Sequence, residues 1–217
     1  MRFGRLRYDG RSLERLGAGD YGTVYAHPTR ADVVLKVGYG LDQDAAASRD
    51  IAAAGAGPLC YGMRTTEDGY GVLGKERVYG TTVGALIAAR RFGEAEHTLV
   101  GAMLDRLAAA RLRVLDLGLH NLMIGHTWDD KTLCAFAIDG CRCERFPENA
   151  SEEEVRQAVW RTPIFTGRRS YFNGGVEILP LNYLLDHGLE VSRPATRSAR
   201  WWQAFRDSFS SVYIPPF

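Results

Sequence analysis

Up to about Gly80 the chain alternates short β-branched and aromatic runs with glycine and polar breaks, which predicts strands near residues 13–18, 21–26, 32–38, 58–65 and 70–78. The last two are joined by a Glu67-Asp68-Gly69 turn. Between the strands near 32–38 and 58–65, Asp42 to Ala54 is alanine-rich and starts with an aspartate able to cap it, so a helix is expected there. Beyond Gly80 the period changes. Leu99, Val100, Met103, Leu104 and Leu107 recur at three-and-four spacing, the signature of one buried helical face. Asn121 then leads into an apolar strand, Leu122-Met123-Ile124, and a turn at Trp128-Asp129-Asp130-Lys131 leads to a second strand from Leu133 to Ile138. Ser151-Glu152-Glu153-Glu154 opens a helix through Trp160 as a capping box, and Ser198 opens another whose Trp201, Trp202, Phe205 and Phe209 read as core. The order predicts an α+β architecture: a small antiparallel β part with one helix over residues 1–80, then a mainly helical part over 81–217.

Composition narrows this picture. With 217 residues and 46% hydrophobic content, the chain can bury one good core or two small lobes. A net charge of +1 gives no electrostatic pull toward nucleic acid or an acidic membrane surface. There is no run of about 18 apolar residues to span a bilayer. Met1-Arg2-Phe3-Gly4-Arg5 lacks the apolar stretch of a secretory signal, so a cytoplasmic setting is expected, with export by a featureless signal left open. Cys60 and Cys134 fall in apolar strand-like runs, while Cys141 and Cys143 stand two apart with no second pair at zinc spacing. Neither a disulfide scaffold nor a zinc site is expected.

The chemistry concentrates in three stretches. "LGAGDYGTVY", Leu16 to Tyr25, spaces three glycines as GxGxxG, but the third glycine leads into Thr23-Val24-Tyr25-Ala26, a strand and not the helix of a dinucleotide-binding fold. A glycine-rich hairpin can lie over a nucleotide as a flap, its bare backbone amides approaching phosphate oxygens. Next, Val33-Val34-Leu35-Lys36-Val37 holds a lysine inside an apolar run, either an edge residue snorkelling to water or a buried cation awaiting an anion. Last, Asp116 and Asn121 stand five apart before one strand of a hairpin whose other strand delivers Asp139. An aspartate and an amide oxygen are hard ligands suited to magnesium, leaving the second aspartate to orient a hydroxyl.

Together these motifs resemble the protein-kinase-like superfamily. Gly17-Ala18-Gly19-Asp20-Tyr21-Gly22-Thr23-Val24 is similar to its GxGxxGxV loop, and Val33-Val34-Leu35-Lys36 to its V-A-I-K strand. Asp116-Leu117-Gly118-Leu119-His120-Asn121 keeps the D-x-x-x-x-N spacing, and Ile138-Asp139-Gly140 stands at the place of D-F-G. The likeness covers roughly residues 13–145. The wider string "VYAHPTRADVVLKVGYG" resembles the early-gene protein kinases of podoviruses, and minimal kinase effectors of pathogenic bacteria are the next nearest group. The resemblance implies a bilobal protein-kinase-like fold with a truncated, mainly α second lobe, and ATP and Mg2+ as cofactors. It implies that Gly17, Ala18, Gly19, Asp20, Tyr21, Gly22 and Val24 cover the nucleotide and that Lys36 holds its α- and β-phosphates. Asn121 and Asp139 would bind magnesium, Asp116 would accept or orient the acceptor hydroxyl, and Glu76, Arg77 and Val78 would meet the adenine at the hinge.

Several positions depart from the family pattern. No glutamate is present beyond Lys36 on the predicted helix; Asp42, Asp44 and Asp50 are the candidate partners, with Asp50, well along the helix, preferred. Gly140 and Cys141 replace the Phe and Gly of D-F-G, no A-P-E comes after them, and Leu115 stands where many kinases place the arginine that grips a phosphorylated activation loop. Activity without phosphorylation between Cys141 and Thr166 is the resulting expectation. Protein serine/threonine kinases usually carry a lysine two residues after the catalytic aspartate and aminoglycoside phosphotransferases a histidine; here it is Gly118. Arg142, Arg145, Arg161, Arg168 and Arg169 could dock a peptide or form a solvated face balanced by Glu152, Glu153 and Glu154. The expectation is a kinase acting on host proteins, in a host cytoplasm if phage-encoded or secreted, with no nucleic-acid or membrane partner. The alternatives are a small-molecule phosphotransferase and a nucleotide-binding pseudokinase.

Overall fold

The computed structural model describes residues 7–8, 11–19, 21–66, 69–115, 117–140, 142–165 and 178–180. Strands β1 (Arg7–Tyr8) and β2 (Arg11–Ser12) pair as a short hairpin. The main sheet contains β3 (Arg15–Ala18), β4 (Thr23–Ala26), β5 (Val33–Gly38), β6 (Cys60–Thr65) and β7 (Gly71–Glu76), in the antiparallel order β3-β4-β5-β7-β6. Helix α1 (Asp42–Ala53) connects β5 to β6 and covers one face of the sheet, where Leu41, Ala45 and Leu73 form a small core. The aspartate expected to cap α1 does not do so. Leu41 is the N-cap and makes no side-chain bond, while Asp42 and Asp44 lie in the first turn, where a negative charge complements the helix dipole. Leu41, almost fully buried and 3.3 Å from where a Cβ on Gly71 would lie, packs the helix entry onto β7.

Two residues, Arg77 and Val78, separate the sheet from β8 (Tyr79–Thr82), which joins a second antiparallel sheet, β11-β10-β8, built from β10 (Leu122–His126) and β11 (Cys134–Ala137). In the turn between β10 and β11, the Lys131 ammonium lies 5.1 Å from the centre of the Trp128 ring. The helices here are α2 (Val83–Ala88), capped by Thr82 accepting from the Ala85 N–H, α3 (Glu94–Ala109), and α4 (Glu152–Trp160), whose Ser151–Glu154 capping box forms as expected. On α3, Val100, Met103, Leu104 and Leu107 are buried together, and Leu99 packs at their margin. Strands β9 (Leu112–Val114) and β12 (Cys143–Arg145) pair beside α3, and β13 (Pro163–Phe165) pairs with β14 (Ile178–Pro180). The fold is thus α+β. The second core, far larger than the first, gathers Ile51 from α1 with residues of α2, α3, α4 and the second sheet, so α1 packs into both. The helix expected from Ser198, with its Trp and Phe stripe, lies outside the described residues, as do Glu67, Asp68, Cys141, Thr166, Arg168, Arg169 and Ser170.

Candidate active site

Strand alternation places the central residues. Val24 on β4, Lys36 on β5 and Leu73 on β7 pair across the sheet, so all three project from one face, and that is the face under α1. Lys36 is therefore neither at an edge nor snorkelling: it lies in the middle of the sheet and is buried. Its Nζ sits 2.5 Å from Asp44 Oδ2 on α1 and donates to both oxygens of Asp139 at 2.7 Å. Asp44 and not Asp50 is the partner of Lys36. An aspartate side chain is short, and the Ala45, Ala47 and Ser48 face of α1 lets the helix come close enough for it to reach. Asp50 is turned instead to the surface, where it pairs with Arg145.

Three backbone contacts fix the end of the hairpin that carries Asp139. Leu122 pairs with Ala137, the Ile138 N–H donates to the Asn121 carbonyl at 2.8 Å, and the Ala137 N–H donates to the Ala56 carbonyl just beyond α1. These bonds place Asn121, itself buried, across the hairpin from Ile138 and one residue from Asp139. The side chain of Asp139 stays 35% exposed, so a ligand can reach the carboxylate that Lys36 holds. Asp116 lies outside the described residues; the flanking Leu115 N–H donates to the Arg142 carbonyl where β9 runs past β12.

The charges in this cluster shape one another. Burial pulls the Lys36 ammonium down, but Asp139 and Asp44 together outweigh it and leave its pKa above the ordinary lysine value. For Asp139, burial acts upward and the neighbouring Lys36 and Lys75 win, holding the carboxyl below the usual range. Asp44 goes the opposite way: burial and the charge of Asp139 outweigh Lys36 and raise it.

The glycine loop closes as a hairpin. Ala18 pairs with Thr23, and the Gly19 N–H donates to the Gly22 carbonyl at 2.9 Å, with Asp20 outside the described residues and Tyr21 half-exposed at the tip. Its glycines serve two purposes. A Cβ on Gly22 would lie 2.6 Å from the Val37 carbonyl oxygen, so the hairpin reaches β5 only through glycine there, whereas a Cβ on Gly17 or Gly19 would meet nothing within 4 Å. At the other edge, Glu76 accepts the Leu59 N–H at 3.1 Å and the Arg77 N–H donates to the Asp32 carbonyl at 2.7 Å, so the segment holding Glu76, Arg77 and Val78 is tied to its surroundings.

Two residues of the cluster, Lys75 and Ser48, belong to none of the sequence motifs. Lys75 Nζ donates to Ser48 Oγ at 3.0 Å and to the Ile138 carbonyl at 2.6 Å, and Ser48 Oγ donates to Asp44 Oδ1 at 3.3 Å. The signal for Lys75 is present in the alternation, since it stands two residues from the buried Leu73 and so shares its face. Among the described residues no three His, Cys, Asp or Glu side chains gather to hold a metal ion by themselves, and no helix is long and apolar enough to cross a membrane.

No protein-family model matches the sequence, and no curated protein matches it. Among solved structures, the chain is similar to one in the CAK complex from Chaetomium thermophilum bound to ATP-gamma-S, at 18% identity and a TM-score of 0.45. The match covers 63% of this chain and spans 48% of the length of that one.

Proposed function

We propose that this protein is an ATP-dependent phosphotransferase of the protein-kinase type, with residues 1–80 and 81–217 as its two lobes, acting on serine or threonine hydroxyls of host proteins in a host cytoplasm. The observation that carries this reading is the placement of Lys36: a buried ammonium on the sheet face beside the glycine hairpin, held between Asp44 and a partly exposed Asp139. Phosphoryl transfer asks little covalent chemistry of a protein and much positioning and charge neutralisation, which such a cluster supplies.

The residues fit the groups that this chemistry needs. Open space over Gly17 and Gly19 lets a phosphate come close to the backbone of the hairpin, and the half-buried Val24 and Val34, on the same face as Lys36, offer an apolar surface to a flat base. Asp139 and the neighbouring Asn121 present few hard oxygens, which suits magnesium, an ion commonly held by one or two carboxylates together with substrate phosphates. When bound, magnesium would neutralise charge on the transferring phosphoryl group. In this reading Lys36 turns from Asp139 toward the phosphates while Asp44 keeps hold of its ammonium, and Asp116 orients the acceptor hydroxyl. Leu115 offers no side-chain donor to a phosphorylated loop, and Gly140 lacks the bulk of the D-F-G phenylalanine, so the enzyme is active as synthesised.

Incubation with radiolabelled ATP, magnesium and host lysate tests the reading. Labelled protein bands are expected, and equally so from enzyme first treated with phosphatase. A labelled small molecule instead would make it a small-molecule phosphotransferase, and tight ATP binding with no transfer would make it a pseudokinase.

A further inference from the structure

Among the described residues, Lys75 is the buried charge for which the proposed chemistry gives no role. Only 5% of it is exposed, yet its two bonds go to a hydroxyl and a carbonyl and not to a carboxylate. Each acceptor is the immediate support of a carboxylate that grips Lys36. Ile138 precedes Asp139 on the chain, and Ser48 lies one helical turn from Asp44 on α1 and bonds to it. Lys75 thus clamps together the strand end that carries one acid and the helix face that carries the other.

Composition points the same way. The chain has 27 lysines and arginines, and only Lys36, Lys75 and Lys131 are lysines. In a chain that meets nearly every other need for positive charge with arginine, two of the three lysines lie side by side beneath α1. An ammonium is a compact point with three tetrahedral donors, able to bond a hydroxyl and a carbonyl from different elements at once; a planar guanidinium fork would need more room. The space is small because Asp44 requires α1 to lie close to the sheet.

We propose, resting on the phosphotransferase reading for the role of Asp139, that Lys75 is a positioning residue: by tying Ile138 to Ser48 it keeps Asp139 aimed at the place where Lys36 and a metal ion compete for it, and keeps α1 close enough for Asp44 to reach Lys36. Its action is like that of the outer groups that orient metal-ligating side chains. Lys75→Met keeps the apolar stem and deletes the donors.

Calorimetry on the full chain compares ATP binding in magnesium with ATP binding in EDTA. The affinity gained from magnesium is expected to fall about tenfold or more in Lys75→Met, the cost typical of losing such an outer group, with affinity in EDTA near wild type. Without ligand, amide exchange at residues 137–140 and 44–48 is expected to accelerate while α3 stays unchanged. Ser48→Ala removes one of the two acceptors and should lower the magnesium gain about threefold, the worth of one hydrogen bond; it carries the comparison should Lys75→Met fail to fold. A full magnesium gain in the variant overturns the proposal whatever exchange shows. If the wild type binds no ATP under either condition, the phosphotransferase reading falls and exchange alone decides: faster exchange confined to the two named segments upholds Lys75 as the clamp, and unchanged exchange overturns it.

Discussion

The two cores of this molecule are held together differently. Beneath the main sheet the buried apolar set is Leu41, Ala45 and Leu73, and beside it lie the buried polar side chains Lys36, Asp44, Ser48 and Lys75. The helical part buries a continuous apolar set from Ile51 to Val159. The larger core obtains its cohesion from non-directional packing, which tolerates volume-conserving change. The smaller one depends on charge pairs whose desolvation cost is recovered only while every partner is in place. A region built like the smaller core is a costly way to hold a helix on a sheet and an effective way to hold two carboxylates around one ammonium.

The largest effect should come from breaking the charged core. Lys36→Met is expected to lower turnover about a thousandfold or more, since it removes the cation that neutralises phosphate charge. It should also lower the melting temperature, because a buried pair that loses one partner costs about 3–5 kcal/mol. Adding Asp44→Asn restores much of that stability and none of the turnover. Recovered turnover in the double variant would mean that Lys36 serves only Asp44. In the apolar core, Leu104→Ala should cost about 2–5 kcal/mol in urea unfolding, leaving turnover per folded molecule unchanged; a comparable loss of turnover would erase the contrast between the two regions.

A third comparison separates metal from acceptor. Asp139→Asn should weaken magnesium-dependent ATP binding by about 100-fold or more, beyond the loss typical of an outer group, while Asp116→Asn should spare binding and abolish transfer. Equal loss of nucleotide affinity in the two variants, read by calorimetry, would contradict that division. The smallest effect belongs to Asp50→Ala, which breaks the exposed pair with Arg145 and should cost no more than about 1 kcal/mol. A loss of turnover as large as that of Lys36→Met would show that Arg145 matters to the site after all.

The strands of the main sheet, α1, α3, α4 and the hairpin ending at Asp139 are legible in the sequence because each carries a periodic pattern, a capping box or, in α1, a run of alanine. Strands β9 and β12 are not: three residues are too few to show alternation, and each exists only because the other lies beside it. The pairing of Lys36 escapes the sequence for a related reason. Choosing between Asp44 and Asp50 requires knowing how closely α1 approaches the sheet, which its small Ala45, Ala47 and Ser48 face decides and no local pattern reveals. Lys75 is easily overlooked because it belongs to none of the motifs and stands just before the hinge residues Glu76 to Val78, although its spacing from Leu73 already places it inward.

The scarcity of lysine also gives the molecule an unplanned chemical handle. Amine-acylating dyes react with accessible, deprotonated amines, and of the three lysine side chains Lys36 and Lys75 are buried, which leaves the exposed Lys131 to be labelled. Its ammonium rests over the indole of Trp128. Acylation there removes a positive charge from the face of a fluorophore, so labelling reports its own completion in the emission of the protein. With the terminal α-amine blocked beforehand, the dye would ride on the turn of the hairpin whose opposite end delivers Asp139, a marker obtained without introducing a cysteine.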